Sequence, residues 1–254
     1  MRPGFSTYII KNRAKSAMQG KFLKAFAAAA VPTLIVLLVT VLIVMLIPDA
    51  KETFELSVNG RFSNAEERLM YIDSIMDICT DCVSMLTAVF AFLFIGTQRV
   101  FLDMLRGKDV KVKNIFMYFN KWYIAFIYPA ITTAITGTIR ALLDALVSSG
   151  MDKGAVSALA WVLQIAIYYV ALKLMFVELI LADNNCTGVF KAIKASWQMV
   201  GVGTMVNMLT LALSFIGWFV AAIITGGVAF IYLMPYMALS IAAFYEDCKA
   251  KQNP

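Results

Sequence analysis

Long uncharged stretches alternate with short charged ones along the whole chain. Five stretches contain no Asp, Glu, Lys or Arg: residues 25–48, 82–98, 122–139, 154–172 and the 51 residues 195–245. A helix needs about 20 apolar residues to cross a hydrocarbon core of about 30 Å, so the last stretch holds two crossings, separated near Gly226 and Gly227. The pattern predicts six transmembrane helices, at 22–47, 76–104, 122–147, 154–182, 201–224 and 228–246.

Three shorter stretches combine lysine or arginine with apolar residues at helical spacing. In the third, Val189, Phe190, Ile193 and Trp197 are expected on one face, with Lys191 and Lys194 on the other. Helices of this kind lie in the headgroup plane of a membrane. The pattern predicts interfacial helices over residues 7–21, 111–122 and 187–200, with Thr187 as the N-cap of the third.

The predicted fold class is all-α, a polytopic membrane helix bundle that forms a single domain over residues 1–254. Unpaired backbone amides are too costly in lipid for open strands, and these stretches lack the alternation of barrel strands. The composition agrees, because 61% of the residues are hydrophobic and 15% are charged, against roughly 25% charged in an average soluble domain.

The charges are distributed unequally between the two sides of this topology. Of the 22 Lys and Arg residues, 17 fall in the N-terminal segment, the second and fourth connections and the C-terminal tail. The positive-inside rule therefore predicts that both termini are cytoplasmic. The basic inner side is expected to meet the anionic inner leaflet of a cell membrane, and nucleic acid is not an expected partner.

The stretch "DSIMDICTDC" places Asp73, Asp77 and Asp81 four residues apart at the outer end of the second helix. Like charges at this spacing destabilise a helix by about 0.2 to 0.5 kcal/mol per pair, so something offsets them. Three interpretations remain open: a solvated face, pairing with Arg140 of helix 3 (or with Arg68 or Lys153), and a mouth for a cation. The candidate outer acidic face comprises Asp73, Asp77, Asp81, Arg140 and Asp144.

Lys173 and Glu178 form the second candidate, a polar pair inside the fourth helix. Residues 154–182 make a helix of about 43 Å, longer than the hydrocarbon core. Either the helix tilts and Lys173 snorkels to the interface, or both side chains are held inside the bundle, where ionisable residues are usually functional.

Motifs for catalysis or cofactor binding do not occur in the sequence. It contains no histidine, which removes the usual general base and a common metal ligand. No phosphate-binding glycine loop is present. Cys79 and Cys82 form a C-x-x-C without the preceding strand of a redox motif, which favours simple packing. We therefore expect a protein that is not an enzyme and has no metal and no cofactor.

Three parts of the chain resemble a known family: "IIKNRAKSAMQGKFLKAF", "LILADNNCTGVFKAIKASWQMVGVGTMVNMLTLALSFIGW" and "YLMPYMALSIAAFYEDC". They are similar to an uncharacterised family of bacterial six-helix integral membrane proteins, domain of unknown function nine-seven-five. The resemblance implies a multi-pass protein of a bacterial cytoplasmic membrane. It supplies no substrate and no site residues.

Two functions remain open. The first is an accessory or binding subunit that acts through a protein partner, a second copy of the chain or lipid, with interfacial docking by Phe190, Lys191, Lys194 and Trp197. The second is a small transporter or channel that uses Lys173 and Glu178, with the acidic face as its outer vestibule.

Overall fold

The computed structural model describes residues 6–46, 65–150, 152–186 and 188–252, together with residues 55 and 58, and every regular element in them is helical. Side chains 67, 68, 71, 144 and 153 are outside the description. The first helices are α1 (Thr7–Met18), α2 (Phe22–Leu46), α3 (Ala65–Val89) and α4 (Ala91–Leu105), followed by a 3-10 helix (Val112–Lys121). The remaining helices are α5 (Trp122–Ser148), α6 (Lys153–Lys173), α7 (Val177–Asp183), α8 (Val189–Met199), α9 (Val202–Leu213), α10 (Ile216–Ile224) and α11 (Phe230–Gln252).

Four helical stretches in the described ranges are long and apolar enough to cross a membrane. They are Phe22–Leu46, Val112–Ser148, Gly154–Asp183 and Val202–Ile224. A fifth is added if Ile72–Val89 and Ala91–Leu105, which meet at a bend of 64°, count as one span. These apolar helices indicate a membrane protein, while six separate crossings and the orientation stay predictions.

The predicted helix over residues 76–104 differs most from the structure. It begins earlier, at Ala65, and it is divided at Phe90 into α3 and α4. Both halves contact α2 and α5, but α4 packs mainly against the 3-10 helix, α7 and α11. On the α2 side, the Thr97 hydroxyl donates a hydrogen bond to the Ala28 carbonyl at 3.0 Å. Tertiary contacts therefore direct α4 away from the axis of α3.

Two other predicted spans contain breaks. Residues 154–182 become α6 and α7, and residues 201–224 become α9 and α10. At the first break the Ser196 hydroxyl donates to the Lys173 carbonyl (2.8 Å) and accepts from the Phe176 amide (3.4 Å). At the second, Lys11 Nζ donates to the Ser214 carbonyl at 2.7 Å. Polar side chains from other helices thus satisfy backbone groups that a break leaves unpaired.

The predicted sixth span, over residues 228–246, corresponds to α11 but is not among the four apolar stretches. Its last turns carry Glu246, Asp247, Lys249 and Lys251. Its buried residues extend from Leu233 to Cys248. The interfacial stretch 111–122 also differs, because it forms a 3-10 helix over Val112–Lys121.

The core lies at one end of the molecule. Its largest fully buried side chains include Phe101 of α4, Tyr118 of the 3-10 helix, and Phe244 and Tyr245 of α11. Phe176, just before α7, contacts both of the last two rings, tilted against Phe244 (centroids 5.7 Å apart) and edge-on to Tyr245 (5.5 Å). We call this the basic end. Lys21 there bonds to the Lys108 carbonyl, Lys121 bonds to the turn after α7, and Arg106 and Lys249 pair with Asp183.

Away from the basic end, the apolar helices have mostly exposed surfaces. Leu38 of α2 is 68% exposed, Ile165 of α6 68% and Ile223 of α10 80%. Large apolar surface of this extent is typical of contact with lipid or with another membrane helix.

Candidate functional site

The outer acidic face is built around Arg140 of α5. Its guanidinium lies 2.9 Å from the Asp77 carboxylate and 3.6 Å from that of Asp81, both on α3. The three side chains are 56, 64 and 76% exposed, and exposed pairs of this kind contribute at most about 1 kcal/mol. Asp73 is exposed, and the side chain of Asp144 lies outside the described residues, as do those of Arg68 and Lys153.

A cation site at this face has no geometric support. Within the described ranges, no group of three or more His, Cys, Asp or Glu side chains is arranged to hold a metal ion. Cys79 packs beside a small cluster of Val44 and Ile75. Whether the acidic face binds anything stays a prediction.

Lys173 and Glu178 are not joined by any ion pair in the part of the chain that the structure describes. Lys173 Nζ donates to the Val200 carbonyl at 2.6 Å and lies 5.4 Å from the centroid of the Trp197 ring. The lysine thus connects the end of α6 to α8 and is partly buried, with an aromatic ring covering its charge. Whether Lys173 snorkels to the interface or is held with Glu178 inside the bundle stays a prediction.

Glu178 of α7 is partly buried and lies near side chains of α4 and α5. Gln98 of α4 is within hydrogen-bonding reach of its carboxylate, and Tyr128 of α5 is close enough to interact electrostatically. Among the described residues, no lysine or arginine forms an ion pair with it. An ionisable group with only neutral partners inside an apolar stretch is expensive, so this position is a functional-site candidate.

The orientation of α8 differs from the sequence prediction. Its buried side chains are Val189, Ala192, Ser196 and Met199. The α8 outer face consists instead of Phe190, Lys191, Lys194 and Trp197, all of them exposed. Small residues point inward because Ala192 and Ser196 allow α8 to approach the break between α6 and α7, and this closeness leaves no room for the aromatic rings.

The turn between α7 and α8 was not singled out as a site by the sequence, and it is held from several directions. Tyr118 donates to the Ala182 carbonyl at 2.7 Å, Lys121 to the Asn185 carbonyl at 2.6 Å, and Arg99 to the Ala182 carbonyl at 3.2 Å. Asn185 has a φ of 52° and Cys186 of 56°, a left-handed conformation that non-glycine residues adopt at some cost. These bonds fix the start of α8.

Asp183, at the end of α7 beside this turn, is the centre of a network of ion pairs and hydrogen bonds. Its carboxylate, only 6% exposed, lies 2.8 Å from Arg106, is paired with Lys249 and accepts a hydrogen bond from the Tyr245 hydroxyl at 3.1 Å. Burial alone would lower the pKa of the Arg106 guanidinium, but its hydrogen bonds with Asp183 and Glu246 outweigh burial and raise that pKa. We call these five residues the Asp183 network.

The sequence gives little sign of this network. Asp183 lies in one of the stretches that carry the family resemblance, but its partners Tyr245 and Lys249 are 62 and 66 residues away on α11, and Arg106 follows α4. No spacing rule links positions so far apart in the chain.

The helices and their exposed apolar surfaces place the chain among multi-helix proteins of membrane type. Residues 149–252 carry a domain of the family described as "Protein of unknown function (DUF975)". That range contains Lys173, Glu178, the α8 outer face and much of the Asp183 network. No curated protein and no solved structure is significantly similar to the chain.

Proposed function

We propose that this chain is a membrane-embedded binding subunit that catalyses no reaction and acts through its basic end, which binds anionic lipid. The observation that carries the proposal is the α8 outer face, on which Phe190 is 73% and Trp197 45% exposed beside Lys191 and Lys194. Aromatic rings favour the headgroup level of a membrane, and lysines favour anionic lipid. A helix face that combines them is suited to lie in the interface plane.

The hydrogen bonds that hold α8 in place support a binding role. Its inner side is fixed by Ser196, and its first turn follows the segment held by Tyr118 and Lys121. The two lysines are therefore presented on a helix whose backbone is already ordered, which reduces the entropy lost on binding. Each lysine near an anionic surface contributes about 1 kcal/mol.

The proposal includes an orientation. The basic end faces the cytoplasm of a bacterial cell, both termini are on that side, and Arg140 with its aspartates faces outward. The unequal distribution of Lys and Arg between the two sides of the predicted topology supports this orientation.

Lipid enrichment around the reconstituted protein tests the proposal. The full chain is reconstituted in nanodiscs that contain a mixture of phosphatidylcholine and phosphatidylglycerol. Part of the lipid is then removed, and the amount of each lipid that stays bound to the protein is measured. We expect K191Q/K194Q to reduce retained phosphatidylglycerol several-fold. The control K251Q removes a lysine that is paired with Asp247 at 3.0 Å, and it is expected to retain as much as wild type.

Two results would reject the proposal. One is equal retention of phosphatidylglycerol by wild type and K191Q/K194Q. The other is a protein that copurifies stoichiometrically from the native membrane and is lost in K191Q/K194Q while lipid retention is unchanged, since the face would then bind a protein partner.

A second candidate function, a small transporter, is favoured by Glu178. A partly buried carboxylate that lies near Gln98 and Tyr128 and pairs with no lysine or arginine among the described residues is suited to bind and release a proton during transport. In proteoliposomes with a pH gradient, this function predicts a flux that E178Q abolishes and E246Q at the basic end leaves intact. Absence of any protein-dependent flux in wild type would exclude proton transport.

A further inference from the structure

A groove of about 550 Å³ lies between α1 and the end of α4. Its volume falls in the range of roughly 300 to 1,000 Å³ typical of small-molecule sites. Its α1 side carries the polar Asn12, Arg13 and Ser16 together with the apolar Ile9 and Ala17, and its α4 side carries Met104 and Leu105. The groove therefore offers polar and apolar contacts side by side, as an amphipathic ligand requires.

The charge in the groove has one sign. Arg13 and Lys21 line it, and no Asp or Glu of the described ranges does. Asp109, in the connection that follows α4, forms an ion pair with Lys24, with 3.2 Å between Nζ and Oδ1. The hydrogen bond from Lys24 lowers the pKa of the Asp109 carboxyl. Lys21 Nζ is held at the edge of the groove by the Lys108 carbonyl, 3.1 Å away. The polar side thus favours an anion.

The position of the groove along the spans agrees with this chemistry. The apolar helix α2 begins at Phe22, and α4 ends at Leu105, so the groove lies where both helices leave the apolar layer. In a bilayer this is the headgroup level, at which phosphates and the first methylenes of acyl chains are found. Tyr8, 73% exposed, lies on the same groove and extends its amphipathic lining.

We propose that this groove is a site for one anionic glycerophospholipid, whose phosphate is bound by Arg13 and Lys21 and hydrogen-bonded by Asn12 and Ser16. The first part of an acyl chain packs along Met104 and Leu105. This inference rests on the proposed function insofar as the basic end must meet a lipid surface. It differs from the proposed function because it requires one lipid molecule at a defined site, and that site is not on the α8 outer face.

Native mass spectrometry of the full chain in detergent tests the site. The protein is titrated with phosphatidylglycerol and, separately, with phosphatidylcholine. We expect one phosphatidylglycerol to bind at low concentration, and R13Q/K21Q to weaken this binding by about tenfold or more, as loss of hydrogen bonds to a charged group implies. K191Q/K194Q is expected to keep the single bound lipid, so loss of the groove site and loss of the α8 interaction are measured separately.

Two further variants distinguish loss of the lipid site from misfolding of the protein. R13K keeps the charge and is expected to retain the lipid, while N12W fills the groove without changing its charge and is expected to displace it. The proposal is overturned if R13Q/K21Q or N12W binds phosphatidylglycerol as wild type does, or if phosphatidylcholine binds equally. Competition by soluble glycerol phosphate at equal concentration would overturn the lipid assignment and indicate a free phosphate compound.

Discussion

Gly96 is the residue at which two backbones come closest. A Cβ atom at this position would lie 1.9 Å from the Ile115 carbonyl oxygen of the 3-10 helix. Backbone cannot move aside as a flexible side chain can, so α4 and the 3-10 helix would have to separate. Glycine is thus required here by packing and not by an unusual φ angle.

The contact at Gly96 leads to a stability prediction. We expect G96A to lower the free energy of unfolding by about 3 kcal/mol, the upper part of the range for overpacking. SDS titration in mixed micelles measures this quantity. The control is G137A in α5, where a Cβ meets nothing within 4 Å, and where alanine should stabilise the helix by up to about 1 kcal/mol. Equal stability of G96A and wild type would show that the two elements are not in backbone contact.

The Asp183 network gives a second prediction at this scale. D183N removes the buried carboxylate and leaves Arg106 and Lys249 without their common partner, so we expect a loss of about 3 kcal/mol in unfolding free energy. D247N, which breaks the exposed pair with Lys251, should change it by less than about 1 kcal/mol. The same titration compares the two variants, and a similar effect of both would mean that Asp183 is not held as described.

At the scale of elements, the breaks within apolar stretches are stabilised by hydrogen bonds from neighbouring helices. Ser196 of α8 bonds to both sides of the break between α6 and α7. We expect S196A to destabilise the protein by about 1 to 3 kcal/mol, because buried backbone groups lose their partner. S148A removes only an exposed hydroxyl bonded to its own helix, and it should have little effect on the melting temperature measured by tryptophan fluorescence.

How much of each element could be predicted differs along the chain. The helix over Phe22–Leu46 agrees closely with the predicted 22–47, because a long run without charge leaves a helix as the one way to satisfy its backbone in lipid. The division at Phe90 could not be predicted, since neither proline nor glycine marks it. It arises because the main contacts of α3 are with α2 and α5, whereas those of α4 are with the 3-10 helix, α7 and α11.

For the whole molecule, the orientation remains a prediction that labelling can test. In a C79S/C82S background, S149C and K108C place cysteines at exposed positions on opposite sides of the predicted topology. We expect an impermeant thiol reagent to modify S149C in intact spheroplasts and K108C only after permeabilisation. The reverse pattern would place the basic end outside and would remove the basis of both lipid proposals.

The sequence by itself determined the class of the molecule: helical, with several long stretches apolar enough to span a bilayer and with its basic residues concentrated between particular helices. The six crossings that it predicts stay a prediction, since the described residues contain four such stretches, or five if the bent pair counts as one. These features follow from local composition and periodicity. Only the tertiary structure decided that Phe190 and Trp197 face outward, that Asp183 unites Arg106 and Lys249, and that α1 and α4 enclose a groove. Each depends on which helices become neighbours, and that is set by the close packing of small residues and by pairings between positions far apart in the chain.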